Sequence, residues 1–156
     1  MKFLNDSTVK ILASGFYSGY APKAPGTLGT AVAIPFAAVL QILAPVWLYV
    51  ALVILFIALA CVVADRAERI WGQKDCPRIV IDEWAGYLVT NIGVTLTFGS
   101  VVASFLLFRF FDILKPFPVR TIDRKGRGGV GVVMDDVAAG VYACVVLHLL
   151  RYAGFL

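Results

Sequence analysis

This 156-residue chain is poor in the groups most often used for chemistry. It has one histidine, three cysteines and only 15% charged residues. His148 lies deep in an apolar run, which disfavours a mechanism built on a histidine nucleophile. Cys61, Cys76 and Cys144 are odd in number and lack C-x-x-C spacing, so neither a disulfide framework nor a zinc site is expected. Cys61 and Cys144 read as small packing residues. Arg66 follows Cys61 one position too early for a Cys-x5-Arg phosphate cradle. There is no Asp-x-Asp pair for an aspartyl-phosphate route, and no Gly-Lys-Ser/Thr of the phosphate-loop type. Residues 1–27 lack the compact apolar core of a cleavable signal. No period-two alternation suggests a membrane barrel. With no linker, low-complexity tract or repeat, residues 1–156 read as one domain.

Long apolar runs are what the chain does have. Hydrophobic residues make up 60% of it, far from the balance of soluble domains. From Leu28 to Ala64 no charged side chain appears over 37 residues, enough for two crossings of ~20 residues each. Pro45 stands near the middle, where it can end one helix and begin the next. Further uncharged runs cover Trp84–Phe108 and Val137–Leu150. The expected fold is an all-α integral membrane bundle: an N-terminal amphipathic segment, a helical hairpin, a second short helical pair and a closing helix.

The net charge is +4, and its placement predicts topology. Lys2, Lys10 and Lys23 precede the first run, and Arg66, Arg69, Lys74 and Arg78 follow it. Arg109, Lys115, Arg120, Arg124, Lys125 and Arg127 precede the last. Basic residues favour the cytoplasmic side, so the intervening runs should each turn back. For Trp84–Phe108 this predicts two short helices broken at Gly99–Ser100. The closing helix is expected over Asp136–Tyr152, with Asp135 or Asp136 near its N-cap. No nucleic-acid partner is expected for these basic residues, and the oligomeric state is not legible.

Five of the ten acidic residues interrupt this apolar background: Asp82, Glu83, Asp112, Asp135 and Asp136. Carboxylates beside apolar runs are costly to desolvate and usually mark a site. A hard divalent cation held by oxygens from several segments is the simplest reason to gather them. As a plain N-cap Asp82 would need no ligand, but that reading leaves Glu83 unexplained. In the Gly15–Thr30 loop, Gly26 and Gly29 let backbone N–H groups approach an anion at a helix start, with Thr27 beside them and Lys23 adding charge. Arg109, Asp112 and Lys115 are spaced along one side of a helix that Pro116 and Pro118 should end.

Together and in this order, four motifs resemble the phosphatidylglycerophosphatase A family. They are the Gly15–Thr30 loop, Asp82-Glu83 with Gly86, the Arg109–Pro116 stretch, and Gly128-Gly129 through Asp135-Asp136 with Gly140. The first dozen residues and the tail beyond Tyr152 carry no motif. The resemblance implies a Mg²⁺-dependent, multi-pass enzyme of the bacterial inner membrane with its site facing the cytoplasm. Its substrate would be phosphatidylglycerophosphate, hydrolysed to phosphatidylglycerol and phosphate.

The residues suit that chemistry. Asp82, Glu83, Asp112, Asp135 and Asp136 would hold one or two Mg²⁺ and activate water, with one spare carboxylate as general base. Asp82, Glu83, Asp112 and Asp136 are the expected catalytic set. Lys115 and Arg120, with Arg109 and Lys23, would grip phosphate oxygens beside Gly26 and Thr27. A carboxylate nucleophile is the alternative mechanism. Two other classes also use such clusters: a phosphatidyl-group transferase, whose Asp-Gly-x2-Ala-Arg signature is absent, and a cation-transport subunit, which would place carboxylates at several depths.

Overall fold

A computed structural model describes residues 5–126 and 128–156, with the side chains of residues 124 and 125 left out. Lys2, Arg127 and the side chains of Arg124 and Lys125, all counted above in the charge pattern, lie outside the described residues. The described residues form seven α-helices: α1 (Asp6–Ala13), α2 (Pro25–Leu43), α3 (Val46–Trp71), α4 (Ile81–Thr90), α5 (Phe98–Leu114), α6 (Val119–Lys125) and α7 (Gly128–Tyr152). A short 3-10 turn, Ser18–Tyr20, precedes α2. Among the described residues there are no strands.

Helices α2, α3 and α7 are each long and apolar enough to cross a membrane. Residues such as Trp47, Ile42, Leu55 and Leu149 point outward, as expected where lipid is the solvent and the backbone is satisfied within each helix. Ala44 and Pro45 make the turn between α2 and α3, with Pro45 as the N-cap of α3. α1 packs on α3 through buried Val9 and Ala13, and Arg66 reaches Asp6 at 3.2 Å.

The Trp84–Phe108 run does fold back. Tyr87 and Ser104 hydroxyls meet at 3.0 Å, and the Tyr87 and Phe108 rings lie 6.3 Å apart, so α4 and α5 run antiparallel. The break falls at Asn91–Thr97, not at the expected Gly99–Ser100. Thr97 and Ser100 form a reciprocal capping box, which satisfies the first N–H groups of α5 and draws Gly99 and Ser100 into its opening turn. Gln41 of α2 donates to the carbonyls of Asn91 and Val94 at 3.1 and 3.0 Å, pairing backbone that the turn leaves open.

The closing helix also begins earlier than expected. It starts at Gly128, so Asp135 and Asp136 are two turns inside it and neither caps it. Glycine costs ~1 kcal/mol in a helix, and close packing offsets that here. A side chain at Gly129 would strike the Cys61 carbonyl of α3, and one at Gly140 would strike the Gly86 backbone of α4. Small residues permit this approach where apolar burial cannot drive association in lipid.

These turns gather the basic groups at one end. Lys10, Lys23, Arg66, Arg69, Lys74, Arg78, Arg109, Lys115 and Arg120 lie at the end holding the acidic residues. Among the described residues Arg151 alone sits at the other, beside Thr95 and Thr97.

Candidate active site

Four elements wall a cavity of about 390 Å³ at the basic end. α4 supplies Asp82 and Glu83, α5 supplies Arg109 and Asp112, and α7 supplies Asp135 and Asp136. The start of α2 closes the other side through Ala24, Pro25, Gly26 and Thr27. Asp82, Glu83 and Asp136 each offer an oxygen, and those oxygens lie within 4.8 Å of one another. Val80, not Asp82, is the N-cap of α4; the Asp82 side chain instead accepts from the Glu83 N–H at 3.0 Å.

The other two carboxylates are engaged by cations. Arg109 Nη1 lies 2.6 Å from Asp112 and 4.0 Å from Glu83. Lys115 Nζ donates to Asp123 and to Asp135, each at 2.7 Å. Lys115 caps α5 in a left-handed conformation, φ 45°, so the chain turns there and the ammonium reaches α6 and α7 together. Five carboxylates in one cavity thus divide into a close group of three and two that anchor cations.

Burial and mutual repulsion dominate the electrostatics. Burial pushes Glu83 up to about 8, with Asp136 and Asp112 adding repulsion against the pull of Asp82 and Arg109. Burial, then the Glu83 charge, lifts Asp82 well above the usual carboxylate range. Burial alone would lower Lys115, but its bonds to Asp123 and Asp135 outweigh that and keep it charged.

Orphaned atoms test what the cavity suits. Glu83 Oε2, Asp135 Oδ1 and Arg109 Nε are buried without hydrogen-bond partners, which native structures rarely tolerate. Clustered carboxylates with unused oxygens suit a hard divalent cation. An unused guanidinium donor suits an oxyanion. The first turn of α2 offers backbone N–H groups at Gly26 and Thr27, with no side chain capping it, and a side chain at Gly26 would collide with Glu83.

Of the residues singled out from sequence, Asp82, Glu83, Arg109, Asp112, Lys115, Asp135, Asp136, Gly26 and Thr27 line this cavity. Lys23 and Arg120 do not; both are exposed. Sequence reasoning passed over Asp123, which holds Lys115, and the wall residues Asp75, Cys76 and Pro77. Lys115 and Asp123 straddle the Pro116–Pro118 break, so their spacing matches no helical period. Asp75 belongs to an irregular connector and adopts φ 52°.

Comparison with known proteins gives the chain's family. A family model described as Phosphatidylglycerophosphatase A matches residues 11–151. The chain is 36% identical over 145 residues to a phosphatidylglycerophosphatase A of Haemophilus influenzae, covering 92% of this chain and 89% of the relative. It is 37% identical over 143 residues to the Escherichia coli protein of the same name, covering 91% and 83%. It is also 39% identical over 149 residues to a Bacteroides thetaiotaomicron protein with the provisional name phosphatidylinositol-3-phosphatase, covering 91% and 92%. No solved structure matches the chain. Because the match runs over residues 11–151 and the named relatives share more than a third of their residues over nine-tenths of the chain, the chain belongs to the phosphatidylglycerophosphatase A family.

Proposed function

We propose that this protein is a Mg²⁺-dependent phosphatase of phospholipid synthesis that removes the terminal phosphate of phosphatidylglycerophosphate at the cytoplasmic face of a bacterial inner membrane. The observation that carries this is the gathering of Asp82, Glu83 and Asp136 from two helices, opposite the uncapped start of α2, in one cavity. The basic residues gathered at that same end favour the cytoplasmic orientation. The names of the Haemophilus and Escherichia relatives supply the substrate.

In this reading Asp82, Glu83 and Asp136 hold the cation, with Asp112 and Asp135 behind them. Bound Mg²⁺ supplies Lewis-acid stabilisation of phosphoryl charge and acidifies water. The chain's own groups do the rest. The N–H groups of Gly26 and Thr27, with the positive end of α2, receive phosphate oxygens. Arg109 adds a charged donor. A carboxylate not engaged in binding takes the proton of the attacking water. The water oxygen bonds to phosphorus, the ester P–O bond breaks, and the proton taken by that carboxylate passes to the departing glycerol oxygen, giving phosphatidylglycerol and inorganic phosphate. Lys115 holds α5, α6 and α7 in register through Asp123 and Asp135.

The test is phosphate release by purified protein in detergent micelles, with Mg²⁺ and with EDTA. Release from phosphatidylglycerophosphate that stops in EDTA and returns with Mg²⁺ is the expected result. Unchanged release in EDTA would remove the metal, and a preference for phosphatidylinositol 3-phosphate would reassign the substrate.

A further inference from the structure

A second hollow of similar size lies beside the acidic cavity and is chemically its opposite. It measures about 400 Å³, and apolar side chains of α2, α3 and α4 line it, among them Phe36, Val39, Phe56, Trp84 and Leu88. Glu83 lines the acidic cavity and Trp84 lines this groove. Consecutive helical residues project about 100° apart, so α4 itself is the partition between the two. Leu88, one turn beyond Trp84, carries the groove away from the carboxylates along α4.

Three rings cluster at the Trp84 side of the groove. Phe36 packs on Trp84 at 4.5 Å, and Phe16 lies 5.9 Å from Trp84 and 6.0 Å from Phe36. Phe16 comes from the loop that leads to α2. Its backbone is left-handed, φ 53°, between Gly15 at φ 51° and Tyr17 at φ 72°. Such conformations cost bulky residues energy and persist where the surroundings impose them. Here they hold an exposed aromatic ring against Phe36 and Trp84.

We propose that the groove takes one acyl chain of the substrate, entering sideways from the bilayer, while the phosphate occupies the acidic cavity. This rests on the lipid phosphatase reading above and adds a binding subsite to it. An amphipathic ligand of that class needs a polar and an apolar compartment joined at headgroup depth, and the two faces of α4 provide them. The groove should therefore set affinity for the lipid without touching the chemistry.

The test uses Val39→Trp, which fills the groove from a half-exposed position on α2, with Val145→Trp on the outer face of α7 as the control. Two substrates are compared in detergent: the diacyl lipid and its deacylated, water-soluble phosphomonoester. With the diacyl lipid Val39→Trp should raise KM about tenfold and leave kcat within about twofold, the signature of lost uniform binding. With the deacylated substrate it should change nothing, and Val145→Trp should change neither. Equal losses on both substrates, or no loss on the lipid, would overturn the subsite.

Photolabelling decides the same point without turnover. Phosphatidylglycerol carrying a diazirine in one acyl chain should label Phe36, Val39 or Leu88, and unlabelled phosphatidylglycerol should compete better than phosphatidylcholine. Equal competition would make the groove a site for bulk lipid and sink the proposal. If the wild type releases no phosphate from any lipid, the functional reading fails, while the photolabel still reports on the groove.

Discussion

Arg109 reaches Glu83 across the α4–α5 turn at 4.0 Å. These two residues close the apolar run between them into a loop, and they bring the acidic start of α4 to the acidic end of α5. Without that return, Asp82 and Asp112 would face opposite sides of the bilayer.

Neutralising the close group should damage activity more than neutralising its supports. Asp82→Asn and Asp136→Asn should each lower turnover by more than the roughly 10–100-fold that outer partners typically cost. Asp112→Asn should fall within that range, because its carboxylate already meets Arg109. Initial rates at saturating lipid over a Mg²⁺ series check this. Near wild-type rates for both Asp82→Asn and Asp136→Asn would empty the assignment.

Lys115 ties three helices through two carboxylates. Its removal leaves Asp135 buried without its counter-charge, and breaking a buried pair costs 3–5 kcal/mol. Lys115 is 29% exposed, so Lys115→Ala should cost about 2–3 kcal/mol, nearer the lower end. Lys115→Arg should recover part of it. Detergent-compatible thermal unfolding measures both, and equal melting points for Ala and wild type would contradict the ion-pair account.

Helices α4 and α7 pack backbone to backbone at Gly86 and Gly140. Gly140→Ala must push the helices apart, at about 1–3 kcal/mol for an overpacked contact. Asp136 lies one turn before Gly140, so activity should fall with stability. Gly72→Ala is the comparison: nothing lies near that position, but its φ of 62° disfavours a side chain. It should therefore lose some stability and keep its Mg²⁺ dependence. A Gly140→Ala protein with normal stability and rate would show that the crossing is looser than described.

Acidity gives a further check. Glu83 is raised from 4.5 to about 8 by burial and neighbouring charge. A carboxyl raised on folding contributes stability that is full below its unfolded value and lost as pH rises through the folded one. In EDTA the melting temperature should therefore fall between about pH 5 and pH 8. Mg²⁺ added near pH 8 should restore it by binding the native state. A melting temperature that rises with pH in EDTA would have the wrong sign.

Much of this was legible from sequence because membrane chains obey strict rules. Pro45 divided the first run because proline disfavours a helix interior and suits a helix start; Pro35, by contrast, is carried inside α2. The fold-back was predicted by the three basic groups that precede the last run, which had to reach one side together. Its position was misjudged because Gly99–Ser100 resembles a breaker, whereas Thr97 and Ser100 cap a helix together. The start of α7 was misjudged for a related reason: Gly128, Gly129 and Gly131 look flexible until a neighbour packs on them. Asp75, Asp123 and the groove behind Trp84 depend on which elements meet, and no local spacing encodes that.

Asp136 comes from the last helix, yet it completes a group begun by Asp82 and Glu83 on α4. During synthesis, therefore, Asp82 and Glu83 are made before the helix that completes their group. Until α7 enters beside α4, the Asp82–Glu83 pair has no third oxygen donor, and Gly86 has no helix against it. Only a chain that has placed its final helix beside α4 brings the three carboxylates together.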